Sequence, residues 1–312
     1  MLVQILLIII GFFFTYKGAG LLVDGSSSLA YKLKFSATII GMTVVAFGTS
    51  LPELFITLFS NYLDLPEIGI GNIIGANITS ILLIIGFCAI IYPIAVKNDS
   101  IRKELPLAIF SILLFIILAN NFFTSGYGLG RIDGLIMLAC FIIFVYYSVG
   151  KAKSKWPANE ESNWGQIIAY IIIGMTALLL GSNLVVLNGT KIASALNLSN
   201  AAIGLSIIAF GTTLPEFFAS IIAARKNGDL AIGNIVGSIL FNMLFILGLS
   251  SLLNPMPYNS YFNITVIIAL TSLLLIYYFT LSFKDDRKIK RWEGSLLMLL
   301  YIAYLGLVFT KF

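Results

Sequence analysis

Two acidic side chains, Glu53 and Glu216, each follow a proline inside a long apolar stretch of this sequence. Residues 40–53 read IGMTVVAFGTSLPE, and residues 203–216 read IGLSIIAFGTTLPE. A carboxylate within the hydrocarbon core of a bilayer costs about 3 kcal/mol or more and usually marks an ion or proton pathway. Two of them at matched positions predict a cation site at membrane depth.

The prolines before these carboxylates predict a break in each helix. Pro52 has no N–H to donate to the carbonyl of Gly48, and Pro215 leaves the carbonyl of Gly211 without its helical donor in the same way. Hydrocarbon cannot satisfy such carbonyls, so a break needs protein, water or an ion beside it. The candidate main-chain ligands for a cation are the carbonyls of Ala46, Thr49, Ala209 and Thr212.

The hydroxyl residues Ser50 and Thr213, three positions before each carboxylate, also have a purely structural explanation. A Ser/Thr-x-x-Glu sequence forms a capping box at a helix start, where proline is favoured as well. A glutamine would cap equally well, whereas a glutamate at membrane depth is costly. We therefore favour the ion site over the capping box.

Oxygen is the only ligand type that these residues offer, which indicates a hard cation. Ca²⁺ and Na⁺ prefer carboxylate, hydroxyl and carbonyl oxygens, whereas zinc and copper sites use His and Cys. The chain has no His, and Cys88 and Cys140 lack metal-binding spacing. We expect no cofactor and no enzymatic activity, with Ca²⁺ and Na⁺ bound as transported ions.

A second repeated motif adds polar positions to the candidate site. Residues 69–80 read GIGNIIGANITS and match residues 231–242, which read AIGNIVGSILFN. Glycines four apart permit close helix contact, and we interpret Asn72 and Asn234 as packing residues rather than ligands. Three other side chains on this motif are expected to face the site: Ser80, Ser238 and Asn242.

Membrane helices must hold these residues, because 59% of the 312 residues are hydrophobic and only 11% are charged. Soluble domains carry about 25% charged residues, so the mean hydropathy of +1.00 excludes a soluble fold. Windows of about 20 apolar residues predict an all-α membrane protein with ten spans: 2–23, 36–60, 68–91, 104–120, 130–149, 164–187, 199–224, 229–252, 261–282 and 292–310.

The distance between the repeated motifs predicts the topology. It covers five predicted helices, an odd number, so the second copy enters the membrane from the opposite side. We expect two inverted five-helix repeats, residues 1–150 and 164–312, joined by a cytoplasmic linker at 151–163. Broken helices 2, 3, 7 and 8 would surround an ion site at the midplane.

The basic residues predict orientation. Most of the 19 Lys and Arg fall in loops on one predicted side, which the positive-inside rule assigns to the cytoplasm. Both termini are then extracellular, and we expect a multi-pass protein of the cell membrane. Lipid headgroups explain the net charge of +5 more simply than nucleic acid, and no obligatory protein partner is implied.

The AFGTSLPE and AFGTTLPE segments, together with GNIIG and GNIVG, closely resemble the alpha repeats of the sodium/calcium exchanger family. This family belongs to the cation/calcium antiporter superfamily, and the similarity to its small prokaryotic members covers nearly the whole chain. The resemblance implies exchange of Na⁺ for Ca²⁺ by alternating access, with helices 1 and 6 sliding past a core of eight helices.

The same resemblance implies ligand roles. Glu53 and Glu216, with the carbonyls of Thr49 and Thr212, resemble the Ca²⁺ ligands of the family. The implied Na⁺ ligands are Ser50, Thr213, Ser238 and the carbonyls of Ala46 and Ala209. Where the family commonly has Ser, Asn and Asp, this chain departs from the pattern with Ala76, Ser80 and Asn242.

These departures leave the coupling ion open. Exchange of Ca²⁺ or another cation for H⁺, and exchange of monovalent cations, are alternatives within the superfamily. A passive cation channel is a more remote one. The proton-coupled branch typically has an acidic residue shortly after its Gly-Asn pair, and neither GNIIG nor GNIVG has one, which favours Na⁺.

Overall fold

The computed structural model describes residues 2–92, 94–95, 99–120, 128–150, 163–195, 198–226, 228–282 and 288–311. Twelve helices make up most of this part of the chain: α1 (Leu2–Leu33), α2 (Ala37–Thr49), α3 (Leu51–Tyr62), α4 (Pro66–Ile91), α5 (Asp99–Ala119), α6 (Arg131–Gly150), α7 (Trp164–Ala195), α8 (Ala201–Thr212), α9 (Leu214–Lys226), α10 (Gly228–Leu253), α11 (Phe262–Ser282) and α12 (Arg291–Lys311).

Four short strands join the connecting segments in two antiparallel pairs. β1 (Ile94–Ala95) pairs with β4 (Lys288–Ile289), and β2 (Gly128–Leu129) pairs with β3 (Met256–Pro257). Each pair links the first half of the chain to the second. The predicted linker 151–163 lies, apart from Asn163, outside the described residues.

The helix lengths make this a multi-pass membrane protein. Among the described residues, seven helices are long and apolar enough to cross a membrane, and the number rises to nine if the bent pairs α2–α3 and α8–α9 each form one span. The apolar part of α5, Glu104–Ala119, is shorter. The total of ten spans therefore stays a prediction.

The predicted ends of the first and sixth spans, at residues 23 and 187, are wrong. Both α1 and α7 are 32 residues long. α1 continues through Asp24, which forms an ion pair with Lys226 of α9. It also continues through Ser27, whose hydroxyl donates to the Val23 carbonyl within the helix at 2.7 Å. Lys32 consequently lies in the last turn of α1 and not in a loop.

The helix breaks at the two Leu-Pro-Glu sequences agree with the expectation from proline. The axis bends by 46° between α2 and α3 and by 40° between α8 and α9. The helices before the breaks also begin alike: the Ser36 hydroxyl accepts from the Ile39 N–H at 3.3 Å, and the Ser199 hydroxyl accepts from the Ala202 N–H at 3.1 Å. The matched sequences thus produce matched local structure.

The predicted breaks in helices 3 and 8 are wrong, because α4 and α10 are continuous helices of 26 residues each. Their repeated motifs contain glycine but no proline, so no main-chain donor is lost. Each helix instead contains one π-helical segment, Thr79–Ile84 in α4 and Phe241–Ile246 in α10. Such segments are frequent at functional sites.

The two halves of the chain pack against each other through glycine. A Cβ atom added at Gly75 of α4 would lie 2.5 Å from the Leu205 carbonyl oxygen of α8. One added at Gly237 of α10 would lie 2.5 Å from the Met42 carbonyl oxygen of α2. The most apolar windows of α4 and α10 are 83% and 94% buried, so these two helices form the centre of the bundle.

Helices α1 and α7 run antiparallel along a second glycine contact. A Cβ at Gly11 would lie 2.7 Å from the Gly181 carbonyl oxygen, and one at Gly18 would lie 2.8 Å from the Gly174 carbonyl oxygen. Residue numbers rise along one helix as they fall along the other. The small residues allow the backbones to approach closely, as in other membrane helix pairs.

Gly75→Ala is expected to destabilise the protein, because the new methyl group would overlap the Leu205 carbonyl oxygen and the Ala209 Cβ atom. Overpacking of this kind costs about 2 kcal/mol. Thermal unfolding in detergent measures the effect. Gly306→Ala is the control, since nothing lies within 4 Å of a Cβ at that position. Equal melting temperatures for both variants would contradict the close contact.

Candidate ion-binding site

The two carboxylates lie at the start of the second half of each broken helix. Glu53 is in the first turn of α3 and Glu216 is in the first turn of α9. Their exposed fractions are 0% and 1%. A helix start carries partial positive charge and favours an anionic group nearby, so the breaks position both carboxylates inside the protein.

A direct hydrogen bond joins the two motifs. The Ser50 hydroxyl, next to the first break, donates to Glu216 Oε1 at 2.8 Å. The Ser238 hydroxyl of α10 reaches the same oxygen at 3.5 Å. Asn72 connects Glu53 to the second break, because its amide nitrogen reaches the Glu53 carbonyl at 3.4 Å and its oxygen accepts from the Thr212 hydroxyl at 2.9 Å. The structure therefore brings both carboxylates and both breaks into one buried cluster.

The capping-box explanation fails at the first motif. Ser50 makes no side-chain cap bond to α3, because its hydroxyl is used on Glu216 of the other motif. Neither carboxylate oxygen of Glu53 has a hydrogen-bond partner in the described part of the chain, so Glu53 does not cap either. At the second motif the Thr213 hydroxyl donates to the Ala209 carbonyl.

Several oxygens in the cluster are buried without a donor among the described residues: Glu53 Oε1, Glu53 Oε2, Glu216 Oε2 and Asn242 Oδ1. A buried polar group that lacks a partner costs free energy, and a buried charge costs considerably more. A cation or a proton would satisfy these oxygens. No three His, Cys, Asp or Glu side chains among the described residues lie close enough together to hold a metal ion. A metal ion here therefore also needs hydroxyl, amide or main-chain oxygens.

The predicted carbonyl ligands at Ala46 and Ala209 already accept protein hydrogen bonds. The Ala46 carbonyl accepts from the Ser50 N–H at 3.0 Å and from the Thr49 hydroxyl at 3.3 Å. The Ala209 carbonyl accepts from the Thr213 N–H at 3.1 Å and from the Thr212 hydroxyl at 3.2 Å. Coordination by these two oxygens would require some of these bonds to be shared or moved.

Ser80 and Asn242 lie at matched places, each within a π-helical segment and each 2% exposed. The Asn242 amide donates to the side-chain oxygen of Asn77 at 3.1 Å, which leaves Asn242 Oδ1 without a donor. The sequence interpretation missed Asn77, although its position in an apolar helix was a signal.

Thr57 and Ser220 were also missed. Each lies one helical turn after a glutamate, and each is fully buried. The Asn72 amide donates to the Thr57 hydroxyl at 3.2 Å, and the Asn234 amide donates to the Ser220 hydroxyl at 3.1 Å. The occurrence of a hydroxyl residue at the same place in both copies of the repeat was the available signal.

Comparison with known proteins identifies the family. The sequence matches the family described as sodium/calcium exchanger protein over residues 3–150 and 166–310, which is most of its length. The chain belongs to this family. Its members are secondary transporters, so the chain is a membrane antiporter and not an enzyme, and the family supports exchange of cations including Ca²⁺.

Relatives match over nearly their full length. An uncharacterized membrane protein of Methanocaldococcus jannaschii, MJ0091, is 35% identical over 94% of both chains. The sodium/calcium exchanger MaX1 of Methanosarcina acetivorans is 29% identical over 98% of this chain and 99% of its own. A structure of the sodium-calcium exchanger NCX_Mj, soaked with Na⁺ and Ca²⁺, superposes with a TM-score of 0.82 at 33% identity and covers 98% of each chain.

Ser50→Ala in this exchanger is expected to weaken cation binding. The substitution removes the hydroxyl that contacts Glu216 Oε1, and a hydrogen bond to a charged group contributes about 1.5 kcal/mol, or roughly tenfold in affinity. The Ca²⁺ concentration that gives half of the full rise in melting temperature measures this change. Ser60→Ala is the control, because the Ser60 hydroxyl donates to the Thr57 carbonyl of its own helix and, among the described residues, to no group of the site. An unchanged midpoint for Ser50→Ala would contradict the predicted role.

Proposed function

We propose that this protein exchanges Na⁺ for Ca²⁺ across the cell membrane by alternating access. The observation that carries the proposal is the pair of buried carboxylates, Glu53 and Glu216. Ser50 of the first motif donates to Glu216 of the second, and three of the four carboxylate oxygens have no donor among the described residues. One Ca²⁺ ion balances the charge of two carboxylates, and its oxygen ligands are of the type that this cluster offers.

Competition for the same carboxylates gives antiport. Na⁺ in flanking sites and Ca²⁺ between the two glutamates compete for the negative charge of the same carboxylates, so release of one ion is coupled to binding of the other. In this proposal Glu53, Glu216 and the carbonyls of Thr49 and Thr212 bind Ca²⁺. Na⁺ is held by the flanking oxygens: those of Ser50, Thr213 and Ser238, and the carbonyls of Ala46 and Ala209.

The proposed topology is two inverted five-helix repeats that form ten spans, with both termini extracellular. Support comes from α1 and α7, which occupy corresponding places in the two halves and run antiparallel. The π-helical segments of α4 and α10 also correspond. Inversion of one half relative to the other would allow the same site to open first to one side and then to the other.

Ca²⁺/H⁺ exchange is the second candidate, and Asn242 is the residue that favours it. With Asn242 and Ala76, the chain has fewer charged and hydroxyl oxygens beside the carboxylates than the family pattern to which it is similar. A proton needs no such ligand shell, whereas Na⁺ does. The two candidates differ in whether Ca²⁺ flux depends on a Na⁺ gradient.

Proteoliposomes loaded with Na⁺ test the proposal directly. We expect Ca²⁺ uptake when the external medium lacks Na⁺, and we expect it to disappear when Na⁺ is equal on both sides. Glu53→Gln and Glu216→Gln should each lower the rate at least about 100-fold, because loss of one paired buried charge typically costs about 3 kcal/mol or more.

Glu67→Gln is the matched control, since Glu67 is only partly buried at the start of α4 and should keep the wild-type rate. Uptake that depends on a pH gradient and ignores Na⁺ would replace Na⁺ coupling with H⁺ coupling. Uptake that needs no counter-ion at all would indicate a channel. Wild-type rates in both glutamine variants would contradict the site itself.

A further inference from the structure

Asn72 and Asn234 are each bonded at both ends of the amide, and the two sets of bonds correspond. The Asn72 oxygen accepts from the Thr212 hydroxyl at 2.9 Å, while its nitrogen donates to Thr57. The Asn234 oxygen accepts from the Thr49 hydroxyl at 3.2 Å, while its nitrogen donates to Ser220. Each asparagine therefore connects the second half-helix of its own repeat to the break of the other repeat.

We propose that Asn72 and Asn234 are positioning residues that fix the main chain at the two breaks and thereby set the cation affinity of the site. This inference rests on the proposed function. Both side chains are 0% exposed and use their oxygen and nitrogen on protein groups. They act through Thr212 and Thr49, whose carbonyls are among the proposed Ca²⁺ ligands.

The bonds constrain the residues that matter most for an ion. The single hydrogen of the Thr49 hydroxyl is shared between Asn234 and the Val45 carbonyl, whose oxygen lies at 3.0 Å. The Asn72 nitrogen additionally reaches the Glu53 carbonyl oxygen at 3.4 Å, which ties the main chain of the carboxylate residue to α4. The helical bond to proline is missing at each break, so the bonds of Asn72 and Asn234 to Thr212 and Thr49 of the opposite repeat take over the role of fixing it.

Asparagine suits this position because the connection requires a donor and an acceptor on one short side chain. Aspartate has no donor, and serine is too short to reach both partners. Without the asparagine bonds the Ca²⁺ ligands should still be present but less well oriented. Ca²⁺ affinity should therefore fall more than the turnover rate.

Asn72→Ala is expected to raise the KM for Ca²⁺ about tenfold with kcat changed less than about threefold, which corresponds to the loss of bonds worth about 1.4 kcal/mol. The midpoint of Ca²⁺-dependent thermal stabilisation should rise by the same factor. Asn61→Ala is the matched control, since the Asn61 amide nitrogen donates to Ser250 and to the Asn254 carbonyl, away from the breaks. It should lower the melting temperature and leave KM unchanged.

Thr212→Val provides the second variant, because it removes the hydroxyl and keeps the carbonyl. If Asn72 acts through Thr212, the double variant should bind Ca²⁺ as the single variants do, whereas multiplied effects would overturn the proposal. An unchanged KM and midpoint in Asn72→Ala would overturn it too. The thermal midpoint needs no transport, so a protein that binds Ca²⁺ but fails to exchange it would refute the proposed function and not this role.

The internal repeat relates two helix interfaces to each other. One lies between α1 and α9, and the other lies between α7 and α3. At the first interface Tyr16 packs edge-on against Phe218 with ring centroids 5.6 Å apart, and Asp24 pairs with Lys226. At the second interface the corresponding residues are all apolar: Leu179 with Phe55, and Leu187 with Leu63. Each interface has a cavity, but the one of about 590 Å³ at the first is lined by Asp24 and Lys226 and by none of the proposed ion ligands. The one of about 480 Å³ at the second reaches Pro52 and Thr212 at the site.

We infer that the ion pair between Asp24 and Lys226 is a latch that keeps the α1 side of the site closed while the α7 side is open. The inference rests on alternating access as proposed above. The apolar residues Leu187 and Leu63 at the second interface cannot form an ion pair. The latch therefore favours the state in which the α1 side is closed and the α7 side is open. Its half-exposed side chains limit the expected bias to a few fold, as for other solvent-exposed ion pairs.

Thiol labelling tests the latch in a background of Cys88→Ala and Cys140→Ala. Asn183→Cys reports on the cavity beside α7, because Asn183 lines this cavity and is exposed. Adding Asp24→Asn should lower its labelling rate about threefold, an effect within the range of an exposed ion pair, and exchanging the charges with Asp24→Lys and Lys226→Asp should restore it. Equal rates in all three proteins would overturn the latch. Slower labelling in the charge-exchanged protein would overturn it as well, because the pair would then not act through its charge.

Discussion

The absence of water in hydrocarbon is the constraint on which this structure depends. A helix broken by proline, followed by a glutamate, cannot face lipid, because its carbonyls and its carboxylate would have no partners. The other half of the chain therefore encloses each break. Ser50 donates a hydrogen bond to Glu216, and Asn72 accepts one from Thr212. Two segments that would be unstable alone become one polar interior when they meet.

These contacts between the two halves fix the main chain around the site, but they do not satisfy all of the carboxylate oxygens. Glycine contacts hold α4 against α8 and α10 against α2 at backbone distance, which gives the polar groups a rigid frame. Within that frame both oxygens of Glu53 and one of Glu216 have no donor in the part of the chain that the structure describes. Such a frame holds the ligand positions in place without satisfying the carboxylates. It is suited to binding an ion reversibly, because the ion provides the missing contacts to the carboxylate oxygens.

The sequence predicted the parts of the site that follow from local chemistry and repetition. Proline identified both breaks, and matched glutamates identified the cluster. It predicted breaks in α4 and α10 wrongly, since glycine spacing is equally compatible with a continuous helix that packs closely. It also missed Thr57 and Ser220, whose importance comes from partners more than ten residues away. The extra length of α1 was missed as well, since Asp24, just after its predicted end, pairs with Lys226 of α9 in a tertiary contact that no local pattern contains.

The central claim is that Glu53 and Glu216 share one cation, and crystals soaked with Ca²⁺ test it most directly through anomalous scattering. The account predicts a single Ca²⁺ peak with oxygens of both carboxylates at about 2.4 Å, the usual Ca²⁺–oxygen distance, and loss of that peak in Glu53→Gln. A Ca²⁺ ion held by one carboxylate alone, or carboxylates that each bond only to protein donors at saturating Ca²⁺, would contradict it.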